Sequence, residues 1–212
     1  RFGVNDMISK KLNLKNTKIL ETKKSLLKKL FTYVPKNNKD DLLNALFAAG
    51  AGNIGNYSEC SFSVDGNGTF KPNEIANPVI GKNGIRSTEN EAKIEVIFPN
   101  YLEAKIVQTL KQNHPYEEVA YEVISLDNSY QHVGSGMIGE LEIAMEETAF
   151  LSYVKDKMQT KCIRYTSLLN KPIKTVAVCG GAGIFLLNQA ILQKADVFIT
   201  SDFKYHQFFD AD

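Results

Sequence analysis

The stretch from Leu27 to Leu126 constrains the fold most, because it spells out a complete run of alternating elements. From Leu27 the pattern turns strand-like, through KLFTYVP, and stops at Pro35. Asp40 and Asp41 then open a helix whose apolar face is Leu42, Leu43, Leu46 and Phe47, and Gly50 and Gly52 end it. Tyr57 to Val64 alternates aromatic and small residues, as a strand does. Asp65-Gly66-Asn67-Gly68 follows and predicts a hairpin turn, because both dipeptides tolerate positive φ. Pro72 to Asn90 is polar and punctuated by Gly, Pro and Asn, hence a loop. Ala92 to Phe98 is an alternating strand. Pro99 and Asn100 start a helix carrying Leu102, Ile106, Val107 and Leu110, and His114-Pro115 closes it. Val119 to Leu126 is the last strand. The order is β-α-β-β-α-β with an extra hairpin, the ferredoxin-like or split βαβ arrangement. Residues 27–126 are therefore expected to form a self-contained α+β domain.

The flanks complete nothing separately. Asn5 is placed to cap a helix with Met7, Ile8 and Leu12 as its stripe, and Lys18 to Glu21 is a short strand. Beyond Asp127, Gly134 to Leu141 is a Gly-rich strand, and Glu146 to Met158 is an amphipathic helix with Phe150, Leu151, Val154 and Met158 on one face. Strands are predicted at Cys162 to Tyr165, Thr175 to Cys179 and Val197 to Thr200, helices at Ile184 to Lys194 and from Phe203 onward. Short apolar strands alternating with helices predict a mostly parallel sheet covered by helices. The first helix and strand return to it. Residues 1–26 and 127–212 thus read as one discontinuous, incomplete α/β domain around 27–126. The chain opens on Arg1 and stops at Asp212 inside a helical pattern, so it is expected to be part of something longer.

Charge removes several partner classes. Lys+Arg 25 against Asp+Glu 24 leaves a net charge of +1, no global attraction for nucleic acid or an acidic membrane. The lysines crowding the first thirty positions, Lys10 to Lys29, read as a solvated face. Cys60, Cys162 and Cys179 are scattered and form no CxxC, so neither a disulfide framework nor a structural zinc site is expected. A reducing, cytoplasmic location follows. No apolar run approaches the roughly twenty residues that span a bilayer.

Four segments carry candidate chemistry. Cys179-Gly180-Gly181-Ala182-Gly183 joins a strand to a helix. Such a turn either packs tightly or lets the backbone approach an anionic ligand. Leu186 stands where a GxGxxG motif needs its third glycine, and no Lys-Ser/Thr follows, so it is not a P-loop. Thr200-Ser201-Asp202-Phe203-Lys204-Tyr205-His206 follows the last strand, where ligands of open α/β sheets bind. Asp202, Lys204 and His206 offer a carboxylate, a cation and an imidazole there. With a helix starting near Phe203, Asp202 and His206 share one face. The competing reading is an Asp cap and a solvated turn. His114-Pro115-Tyr116-Glu117-Glu118 is either a metal-binding group or a polar helix stop, and Ala49 to Tyr57 is either a loop over a cavity or a connector. His114, His132 and His206 are far apart, with no HxxxH or HExxH, so local spacing contains no complete metal site.

Gly3-Val4-Asn5-Asp6, Ala49 to Tyr57, Gly66 to Pro72, His114 to Glu118, Val176 to Gly181 and Ala195 to His206 together resemble a known family. It is the group of dinuclear-metal proteins called GTP cyclohydrolase I type 2 homologues, whose eukaryotic members are interacting-factor-three-like proteins. The resemblance implies the long bacterial form, with an inserted ferredoxin-like domain similar to PII and CutA proteins. It also implies a ring-shaped homo-hexamer with the insert over the openings of its central cavity. The family holds two divalent ions, here expected to be zinc, manganese or iron. Its ligands are a His-His pair, an Asp upstream of the GVND-like segment and a His-x-x-x-Glu near the C-terminus. None of these motifs is present, so no stoichiometric metal is expected in this chain. What remains is the wall of the site, the CGG turn and the SDFKYH segment.

The resemblance implies a metal-dependent, hydrolase-like protein acting on a nucleotide or another phosphorylated compound. Asp202 or His206 would orient water or shuttle protons, and Gly180, Gly181 and Lys204 would approach the ligand. The alternative is a non-enzymatic metal-binding regulatory scaffold whose PII-like domain senses a small molecule or docks a partner. Turnover lost on metal removal marks the enzyme, and saturable binding without turnover marks the scaffold. Nucleic-acid binding through the lysine-rich start, a weaker third reading, would show as salt-dependent affinity for DNA.

Overall fold

A computed structural model describes residues 3–204. The chain divides into two compact units, one drawn from Arg1–Lys23 and Gln131–Asp212, the other from Lys24–Tyr130.

The 24–130 unit contains β2 (Leu27–Pro35), α2 (Lys39–Ala49), β3 (Ser61–Phe70), β4 (Ser87–Pro99), α3 (Glu103–Asn113) and β5 (Tyr121–Leu126). Its sheet has the order β3-β4-β2-β5 with every pairing antiparallel, which is the split βαβ topology. Burial alternates along β2, so that Leu30, Thr32 and Val34 are sealed while their neighbours are half-buried. They join Ala92, Ile94, Val96 and Phe98 of β4, and α2 and α3 cover that face with Leu42, Leu46, Ile106 and Leu110. Each large apolar side chain so buried contributes about 1.5–3 kcal/mol. The opposite alternation mixes charged and apolar residues. Lys29 and Lys93 pair with Glu95 at 3.1 and 3.3 Å, and both ammonium groups lie over the Phe31 ring. Helix α2 ends at Gly50, whose φ of +114° is a left-handed cap.

The predicted Asp65-Gly66-Asn67-Gly68 hairpin does not form. Strand β3 runs straight through it, with Asp65 opposite Ala92, Gly66 opposite Glu91 and Gly68 opposite Glu89. Neither glycine has positive φ. Gly68 serves a steric need instead, because the Glu91 carboxylate occupies the space where its Cβ would stand. The reversal between β3 and β4 is made by the long 71–86 loop, and β4 begins at Ser87. Strand β3 also starts later than expected, at Ser61. The preceding segment is held by an Ile54–Tyr57 bridge and by Cys60 N–H donating to Gly52 O at 2.8 Å.

The other unit contains α1 (Val4–Lys11), β1 (Lys15–Lys23), β6 (Tyr130–Met145), α4 (Glu147–Met158), β7 (Ile173–Cys179), α5 (Leu187–Leu192) and β8 (Val197–Thr200). Its sheet order is β1-β6-β7-β8. One face packs Leu12, Leu14, Leu141, Phe150, Val154, Val176 and Val178, and the other Leu20, Ile138, Ala177, Leu186 and Ala190. Helices therefore cover both faces, α1 and α4 on the first and α5 on the second.

This sheet is not mostly parallel. The β7–β8 pair is parallel, from Val176↔Val197 to Cys179↔Thr200, whereas β6 runs antiparallel to β7. Gly134 lies against Glu21 and Gly139 against Lys15, which sets β1 and β6 in opposite directions as well. A parallel neighbour requires a crossover that carries the chain back to the starting end of the sheet. Helix α5 provides one between β7 and β8. After α4, however, residues 159–172 retrace the helix, so Ile173 enters opposite Met145, where β6 ended. That return path has no regular structure, so the strand expected at Cys162 to Tyr165 is absent. Among the described residues, no helix is long and apolar enough to cross a membrane.

Candidate functional site

The candidate site lies at the carboxyl ends of β7 and β8. Val176, Ala177 and Val178 are fully buried, which fixes β7 at the centre of the sheet and delivers the chain to its edge at Cys179. Burial pushes the Cys179 thiol up from its ordinary pKa, so it stays protonated and serves as packing.

The next four residues form a turn knitted by side chains from outside it. Asn5 Oδ1 accepts the Gly180 N–H at 2.7 Å. Thr200 Oγ1 donates to Gly181 O at 2.7 Å and accepts the Gly183 N–H at 2.9 Å. Ser201 N–H and Asp202 N–H also point to Gly181 O, at 3.2 and 3.4 Å. The end of β8 is thereby tied to the turn after β7.

Each glycine has its own reason. A Cβ at Gly180 would stand 3.0 Å from Val4 and 3.2 Å from Ile8, so this glycine admits α1. A Cβ at Gly183 would meet Thr200 Oγ1 at 2.6 Å and Cys179 Cβ at 2.7 Å. Gly181 has φ +82° and open space beyond it, so its glycine answers backbone conformation alone. The Gly180 and Gly183 N–H groups are spent inside the protein. Of the three, Gly181 has open space where a Cβ would stand.

The sequence-predicted residues distribute as follows. Gly180 and Gly181 form the turn. Asp202 and Lys204 follow β8, both exposed, on an irregular stretch with no helix begun by Lys204. Its backbone N–H places Asp202 beside Gly181. His206 lies outside the described residues. Asn5 is not the N-cap. Helix α1 is capped at Gly3 without a side-chain bond, and Asn5 sits in the first turn, reaching across to Gly180. Sequence reading missed Asn5 and Thr200 as builders of this rim, since their partners are remote in sequence.

His114-Pro115-Tyr116-Glu117-Glu118 is a structural turn and not a metal group. His114 is 7% exposed, its Nε2–H donates to Tyr33 O at 2.9 Å, and its Nδ1 accepts the Tyr116 N–H at 3.1 Å. Both ring nitrogens are committed, and burial holds the imidazole below its ordinary pKa of 6.5. Ala49 to Tyr57 is likewise a stitched connector, with Gly52 N–H donating to Ile97 O at 2.8 Å and Asn53 Nδ2 to Gly50 O at 3.1 Å. Among the described residues, no group of three or more His, Cys, Asp or Glu side chains is placed to hold a metal ion.

Residues 1–212 match the family described as Duf34/NIF3 (NGG1p interacting factor 3). A GTP cyclohydrolase 1 type 2 homolog from Bacillus subtilis (strain 168) is 38% identical over 99% of this chain and 56% of its own length. One from Halalkalibacterium halodurans is 40% identical over the same shares. The crystal structure of a Bacillus cereus protein related to NIF3 superposes with a TM-score of 0.84 at 40% identity, covering 99% of this chain and 56% of that one. The chain thus spans about half the length of the curated relatives it matches, 56% in both cases. On the match over its whole length and these identities, the chain belongs to the Duf34/NIF3 family.

Proposed function

We propose that the β7–β8 rim is one wall of the ligand site of a hydrolase-like Duf34/NIF3 protein acting on a nucleotide or another phosphorylated compound. The observation that carries this reading is the rim itself. Polar groups gather at the carboxyl ends of two adjacent parallel strands, where open α/β sheets bind ligands, around a glycine with open space above it. The name carried by the curated relatives supports the substrate class.

In this reading the Gly181 backbone lets a phosphorylated ligand lie close, Lys204 meets its negative charge, and Asp202 orients a water or moves a proton. His206 is proposed to share that task. The described residues do not suit the two divalent ions of the family, since no ligand set is gathered among them. We place those ions in other parts of the whole protein. A hexameric ring is the assembly proposed for the whole protein.

The test uses the whole protein with GTP as probe. Asp202→Asn and Lys204→Ala should keep the fold by circular dichroism. Lys204→Ala should weaken GTP binding, and Asp202→Asn should slow hydrolysis without weakening binding. Unchanged binding and turnover in both variants would remove the rim from the site. Saturable binding by the unaltered protein with no turnover under any metal supplement would replace the hydrolase with a binding scaffold.

A further inference from the structure

The 24–130 unit holds a cleft that the reading above does not use. It lies between the β3–β4 ribbon and the 71–86 loop and has a volume of about 720 Å³. That is within the roughly 300–1,000 Å³ of small-molecule sites. Phe70, Pro72, Pro78, Val79 and Ile80 make much of its wall apolar. We infer that this cleft binds a small organic amine, whose apolar body packs on these residues and whose ammonium group is received by the buried carboxylate of Glu91.

Glu91 carries the inference. It lines the cleft and is 7% exposed. The Tyr116 hydroxyl donates to its Oε1 at 2.8 Å, and among the described residues no other donor reaches the side chain. A carboxylate has about four acceptor positions, and Oε2, which takes no protein donor, keeps an accessible edge with its positions unfilled. A cationic donor entering the cleft supplies what is missing, and charge-assisted bonds of this kind are the strong ones. The other charges do not fill that role. Lys93 is paired with Glu95 at 3.3 Å and lies over Phe31, while Asp65 pairs with Lys36 at 2.8 Å. Lys71 is exposed, and Glu117 and Glu118 add negative charge along the wall.

The carboxylate is also preorganised. Gly68 leaves the space that its head occupies. The Tyr116 ring is wedged against His114, centroids 5.1 Å apart, and Phe70 at 6.0 Å. The phenol stays a donor, because burial and the neighbouring Glu91 raise its pKa. Glu117 accepts the Asn77 N–H at 3.0 Å, tying the loop to the opposite wall. Asn73 shapes that loop by accepting from the Ile75 and Ala76 N–H groups at 3.1 and 3.0 Å. The cleft is thus built before any ligand arrives.

The test titrates the whole protein with phenethylamine and, separately, with phenylacetate, which has the same ring and the opposite charge. Calorimetry reads affinity, and hydrogen–deuterium exchange reads location. Phenethylamine should bind saturably and slow exchange in peptides covering residues 68–80 and 114–118, while phenylacetate should do neither. Glu91→Gln, which still accepts from Tyr116, should weaken phenethylamine about tenfold or more. Val79→Trp, at an exposed loop position, should block the cleft by bulk and provides a second variant if Glu91→Gln unfolds. Equal binding of both probes, amine binding that survives both variants, or protection of these peptides by self-association without any amine would each overturn the assignment.

Discussion

Replacing Asn5 by alanine tests how the rim is held. In the folded chain the Gly180 N–H donates to Asn5 Oδ1 at 2.7 Å, across 175 residues of sequence. Alanine removes the acceptor and leaves a half-buried backbone donor without its partner. The cost of such an orphan is about 1–3 kcal/mol, and partial exposure places this one toward the lower end. At about 1.4 kcal/mol per factor of ten, the Gly180 amide should exchange with solvent roughly tenfold faster. Asn5→Asp keeps an acceptor in the same position and should restore slow exchange. Amide exchange at single-residue resolution, with urea unfolding alongside, measures both. Urea alone is not decisive, because loss of an ordinary helix cap also costs about 0.5–2 kcal/mol. The two accounts separate by location. A cap loss would speed exchange in the first turn of α1 and leave Gly180 alone. Unchanged Gly180 exchange in Asn5→Ala would refute the tie between α1 and the glycine turn.

Three further outcomes follow from the geometry. Gly68→Ala sets a methyl group where the Glu91 carboxylate stands, so the end of that side chain must swing away from the Tyr116 hydroxyl, and the 24–130 unit should lose about 1 kcal/mol in urea melts. His114 is held below its ordinary pKa of 6.5 by burial, so the unfolded chain binds more protons than the folded one just below that pH. Its contribution to stability is therefore complete above pH 6.5 and is lost as pH falls through the folded value. A His114→Asn variant should show a flatter pH dependence of unfolding over that window, and an identical slope would exclude His114 as its source. Finally, this chain equilibrated with zinc or manganese and then dialysed should retain less than one ion per molecule, read by elemental analysis; two retained ions would place ligands among residues not assigned to a site here.

Several elements form where local patterning puts them. The Leu42, Leu43, Leu46 face becomes the buried side of α2, and the left-handed cap falls on Gly50. Strands β7 and β8 begin and end within two residues of the apolar runs TVAVC and VFIT. In each case the signal and the forces that use it lie within one element. The glycines of the rim were legible as a turn, and Asp202 and Lys204 as the polar segment after a buried strand. Asn5 was visible only as a helix-start residue, because its acceptor role depends on a partner that no local window contains.

The sequence by itself determined the helices α2, α3 and α4 and the strands β2, β7 and β8, because side-chain periodicity and the φ preferences of Gly and Pro act over a few residues, but it also pointed to a strand at Cys162 to Tyr165 that does not form. Tertiary structure decided the rest. Asp65-Gly66-Asn67-Gly68 permits a hairpin, yet β3 passes straight through it, since pairing with β4 and the placement of Glu91 reward the extended form more. Strand direction in the β1-β6-β7-β8 sheet was equally hidden. It depends on where residues 159–172 return the chain, opposite Met145, and periodicity along a strand is the same whichever way its neighbour runs.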